Sequence, residues 1–156
     1  MAEDNKRTDI TINGSTATWE MRLDGQIHGT YIGTFTFKCY LNPSDTLAAG
    51  RDYRGLLGPN PAFASENDSF IAYALSQLKY RIISSPPFWG TSKDSSLDGN
   101  IPDLNVISAV LEAATDAEIL YRDQLTQRKN EALEKALKAA EKLNKKEEET
   151  PAENED

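Results

Sequence analysis

The sequence predicts an α+β fold, with an N-terminal antiparallel β-sheet packed with three helices and the last helix extending into a charged helical tail. Three observations carry this. Residues 8–41 alternate apolar and polar side chains with period two and are rich in β-branched and aromatic residues, as in a sheet with one buried face. Between about 43 and 121 the apolar residues recur at helical spacing, interrupted by Pro and Gly. All eleven Tyr and Phe and both Trp precede Arg122, after which Ala, Lys, Glu and scattered Leu dominate. The predicted organisation is a folded α+β head over 1–121, a charged helical extension over 122–145 and a disordered acidic end over 146–156.

In the first strand, Thr8–Asn13, Ile10 and Ile12 share a face, and Asn13-Gly14 is a two-residue hairpin signal. The second strand sets Trp19, Met21 and Leu23 on one face against Thr18, Glu20 and Arg22 on the other. The third does the same with Tyr31, Phe35, Phe37, Cys39 and Leu41 against Thr34, Thr36 and Lys38. A two-residue turn at Asp24-Gly25 would pair Trp19 with Thr30 and oppose unlike faces. A three-residue loop pairs Leu23 with Ile27 and Trp19 with Tyr31, and the faces agree. Because a slip of one residue turns every side chain over, the longer loop or a bulge near Gly29 is expected. The glycines at 25, 29 and 33 lie in strand pattern and open no helix, so they are not a phosphate loop.

Asn42 and Pro43 start the first helix, with Leu47, Arg54 and Leu57 near one face, and Gly58-Pro59 ends it. Asn60-Pro61 repeats the start signal. Phe63, Phe70, Ile71, Ala74, Leu75, Leu78 and Ile82 then form a stripe that predicts a long second helix to about Ser84, stopped by Pro86-Pro87. Residues 88–100 read as a loop. Pro102-Asp103 opens the third helix, striped by Leu104, Ile107, Leu111 and Ala114 with Val110 and Ala117 beside them. Beyond Arg122, acid-before-base pairs such as Glu131 with Lys135 support a solvated rod. Leu133, Leu137 and Ala140 give it only a narrow apolar edge, too short for a coiled coil.

The chain has 156 residues and a net charge of −8, which bounds it to one core-forming domain. The single Cys39 excludes an internal disulfide, and no Cys/His cluster suits zinc. No apolar run is long enough to span a membrane, and MAEDNKRTD lacks the apolar stretch of a signal peptide. A small soluble intracellular protein is expected. His28 and Cys39 are the only conventional base and nucleophile, and no third group is in evidence to orient them. Glu66, Asp68, Glu112, Asp116 and Glu118 read as solvated helix faces. Catalytic, cofactor and metal residues are therefore expected to be absent, and the protein to be no enzyme.

Lys79, Tyr80 and Arg81, with Arg51 and Arg54, could form a basic-aromatic surface, but the acidic balance argues against nucleic acid. Salt bridging between neighbouring helices is the plainer reading. Ser84-Ser85-Pro86-Pro87-Phe88-Trp89 places two large aromatics after a rigid turn. They either cap the open end of the core or anchor a partner. Phe88, Trp89, Tyr80 and Arg81 are the candidate partner-binding residues.

The run from Gly33 to Pro43, then Tyr53-Arg54-Gly55-Leu56-Leu57-Gly58, the run from Leu75 to Ile83, and Pro87-Phe88-Trp89 together resemble small proteins encoded among the structural genes of tailed bacteriophages. Within that set the chain is most similar to tail assembly chaperones, over about residues 30–90. The resemblance implies a non-enzymatic role in the host cytoplasm during assembly, with the phage tape measure or tail tube protein as partner and a homo-oligomer as one form. The alternative is a minor virion component, such as a head–tail connector or a tail or capsid accessory protein.

Overall fold

Strands β1 (Ile10–Asn13) and β2 (Thr16–Asp24) form the first hairpin of a computed structural model that describes residues 9–90, 101 and 103–149. Asn13 pairs with Thr16, so the loop is Gly14-Ser15, one residue later than the Asn13-Gly14 expected. Gly14 has φ +61°, a conformation open to glycine at little cost. The shift sets Ile10 opposite Trp19 and Ile12 opposite Ala17, so apolar side chains meet across the pair.

Strand β3 (Thr30–Lys38) pairs antiparallel with β2, Trp19 facing Phe35 and Leu23 facing Tyr31. The connection is the five residues from Gly25 to Gly29, longer than the three-residue loop considered from sequence. The difference in register is even, so the faces agree as expected while each partner changes. Phe35, Phe37 and Cys39 are fully buried and Ile32 and Thr34 are exposed, which is the alternation read in the sequence. A short edge strand β4 (Ile82–Ser84) completes an antiparallel sheet of order β1-β2-β3-β4.

Helix α1 (Pro43–Leu57) is capped by Asn42, whose side chain accepts from the Asp45 backbone N–H at 2.8 Å. Leu47 is 69% exposed and the buried residue is Ala49, so the expected face of Leu47, Arg54 and Leu57 is not the packed one. A small residue lets α1 approach its neighbour closely. Asn60-Pro61 opens only a single 3-10 turn, Pro61–Phe63. Helix α2 (Glu66–Arg81) starts later, at a capping box in which the Ser65 hydroxyl accepts from Asp68 N–H and the Asp68 carboxylate accepts from Ser65 N–H. The reciprocal pair satisfies two orphan donors where Asn60 makes no side-chain cap. At the other end α2 stops at Arg81, because Ile82–Ser84 extend to pair with β3.

Helix α3 runs Leu104–Glu148. Its buried residues are Val106, Ile107, Val110, Ala113, Ala114 and Ala117, with Leu104 and Leu111 only half-buried, so the packed stripe is rotated from the one expected. The core joins these residues to Ala74 and Leu78 of α2 and to the buried sheet face, where the Phe35 ring lies 5.7 Å from Phe37 and 5.8 Å from Trp19.

The chain divides into two compact units, Met1–Tyr121 and Arg122–Asp156. The aromatic core belongs to the first. In the second, every described side chain from Thr126 onward is exposed. Because α3 continues to Glu148, residues 146–148 are helical rather than part of an unstructured end, and 150–156 lie outside the described residues, as do 91–100 of the expected loop.

Candidate functional site

The aromatic turn faces inward. Pro87–Trp89 is a single 3-10 turn that drives Trp89 onto the edge of Phe35 at 5.3 Å, leaving it 8% exposed. Phe88 is half-buried, edge-on to Tyr31 at 5.1 Å and to Phe35 at 6.2 Å. Of the two readings of this segment, the geometry is that of a cap on the core. Trp89 has too little free surface to anchor a partner.

Tyr80 and Arg81 are engaged elsewhere. The Asp52 carboxylate on α1 accepts from Tyr80 Oη at 2.8 Å and from Lys79 Nζ at 2.9 Å. The hydrogen bonds from Lys79 and Tyr80 hold Asp52 below the usual carboxylate range, and Asp52 in turn pushes Lys79 and Tyr80 up. Arg81 pairs with Glu118 of α3 at 2.8 Å. These are bridges between helices, the plainer reading, and the four sequence-predicted partner residues are tied to different neighbours rather than gathered into one surface.

His28 is exposed in the β2–β3 loop and Cys39 is buried beyond the far end of β3. About 30 Å of extended strand separates them, so they cannot act as a base–nucleophile pair. Burial, then the charge of Glu118, pushes the Cys39 thiol up, away from reactivity. Among the described residues no group of three or more His, Cys, Asp and Glu is placed to hold a metal ion, and no helix is long and apolar enough to cross a membrane.

Asp103 is the one fully buried acid in the described core. Its carboxylate accepts from Tyr31 Oη at 2.7 Å and from the backbone N–H groups of Ile27 at 2.5 Å and His28 at 3.0 Å. Burial alone would raise its pKa. The hydrogen bonds from Tyr31, Ile27, His28 and Gln26 outweigh burial and hold it below the usual range. Gly25 is required here, since a Cβ would meet the Asp103 carboxylate, the His28 carbonyl and the Tyr31 ring. All partners are internal, so Asp103 latches the β2–β3 loop to the start of α3 and is a structural group.

A groove of about 450 Å³ lies between the end of α1, the Pro61–Phe63 turn and α2. Leu56, Leu57, Phe63, Ala64, Ile71, Ala72 and Leu75 make it apolar, with Asn60 and Asp68 its polar members. Phe63 is 88% exposed, the most exposed of the large hydrophobic residues among those described. Asp68 is held below the usual range by hydrogen bonds from the Ser65 hydroxyl and backbone N–H, so it is an anion at neutral pH. Sequence reasoning placed Phe63 in the core stripe of α2. The Ser65-to-Asp68 spacing was the signal that starts the helix after Phe63 and releases its ring to solvent. Comparison with protein-family models, with curated proteins and with solved structures finds no match to this chain.

Proposed function

We propose that the protein is a non-enzymatic tail assembly chaperone of a tailed bacteriophage that holds amphipathic helical segments of the tape measure protein. The observation that carries this reading is the apolar groove beside the solvent-exposed Phe63 ring. A helix docks into such a groove by side chains at i, i+3, i+4 and i+7, and a bulky aromatic at the rim supplies the anchor. The Phe35–Trp89–Phe88 cluster does not take part, because its rings pack on one another within the fold.

The test is co-expression of the full chain with a tape measure fragment. Wild type keeps the fragment soluble. Phe63→Asp retains its far-UV spectrum and thermal midpoint but leaves the fragment insoluble. A folded Phe63→Asp chain that solubilises as well as wild type removes the groove from the mechanism. Wild type that fails altogether, together with the protein at fixed copy number in purified particles, replaces this reading with that of a minor virion component.

A further inference from the structure

We propose that the same groove receives residues 126–146 of a second copy of this chain, so that the protein self-associates head to tail. This rests on the groove being a docking surface for helices, not on the identity of the tape measure partner. Two exposed surfaces complement each other. The groove is apolar and offers Phe63, with Asp68 as the acidic residue that lines it. The helical tail offers Leu133, Leu137 and Leu143, each more than half exposed. Leu133, Ala136, Leu137 and Ala140 follow the i, i+3, i+4, i+7 spacing that a groove accepts, so they share one face.

Charge selects the pairing. Between Leu125 and Lys146 there are seven Lys and Arg against three Glu, although the whole chain is at −8. Residues 1–121 hold nine Lys and Arg against fifteen Asp and Glu. An acidic head and the basic, apolar-edged segment 126–146 attract. The tail's own apolar edge is also too short to sustain a coiled coil with another tail. The head of a second copy is thus the better complement for the tail.

The experiment is sedimentation equilibrium on the full chain at two concentrations and two salt levels, with Phe63→Asp and Leu133→Asp/Leu137→Asp as the variants. Wild type is expected at a mass of at least two chains of 17.3 kDa, falling toward one chain on dilution and at about 0.5 M salt, where charges are screened within a few ångströms. Each variant is expected at single-chain mass. An equal mixture of the two variants recovers association, because it contains one intact groove and one intact tail. Wild type at single-chain mass overturns the proposal. So does association of the Phe63→Asp chain at wild-type strength, which would place the contact between tails. The Leu133→Asp/Leu137→Asp chain keeps its groove and still solubilises the tape measure fragment, so loss of self-association and loss of chaperone activity are read separately.

Discussion

Trp89 and Phe63 make opposite predictions from similar chemistry. Trp89→Ala deletes a ring that is 8% exposed and edge-on to Phe35 within the core cluster. Large-to-small core changes of this kind cost about 3–5 kcal/mol, the lost transfer energy plus an incompletely collapsed cavity. Against a total stability of about 5–15 kcal/mol this is a large fraction. For a unit of the size of Met1–Tyr121 it lowers the thermal midpoint by about 10–20 °C. Phe63→Ala deletes a ring that is 88% exposed, and the change stays within about 0.5 kcal/mol. Thermal melts of the two variants beside wild type, followed by near-UV circular dichroism, check both values. If Trp89→Ala melts with wild type, the aromatic turn is not a core cap. If Phe63→Ala loses as much as Trp89→Ala, Phe63 is packed and the groove is not an open surface.

Two further outcomes follow from the buried groups. Asp103 has a lowered folded pKa, so its contribution is present above the unfolded value of about 3.9 and is lost as pH falls through the folded value; urea midpoints of wild type and Asp103→Asn should therefore differ at pH 7 and converge in strong acid, and a pH-independent difference refutes the ionised latch. Cys39 is fully buried with its thiol pushed up, so an aromatic disulfide reagent should react with it slowly in the native protein and rapidly in denaturant; fast native labelling would mean that β3 presents its other face.

The sequence alone determined the α+β class, the alternation of β2 and β3, the start and stop of α1, and the concentration of aromatics before Arg122. These are local matters. Period-two patterning selects a face whatever the partner strand, and Asn42 with Pro43 caps a helix through contacts within one turn. Which residues meet across strands was decided by the tertiary structure. The five-residue Gly25–Gly29 loop is held by Asp103, more than seventy residues away, and nothing within the hairpin announces it. The end of α2 was likewise overruled, because Ile82–Ser84 have both helical and strand character and pair with β3 only once the sheet edge is there to receive them. The candidate site shows the same division. Phe88 and Trp89 were legible as important, but whether they point inward or outward depends on the ring of Phe35 lying beneath them. Phe63 was legible as apolar, and its exposure follows from a capping box that begins the helix three residues after it, turning a presumed core residue into the rim of a groove.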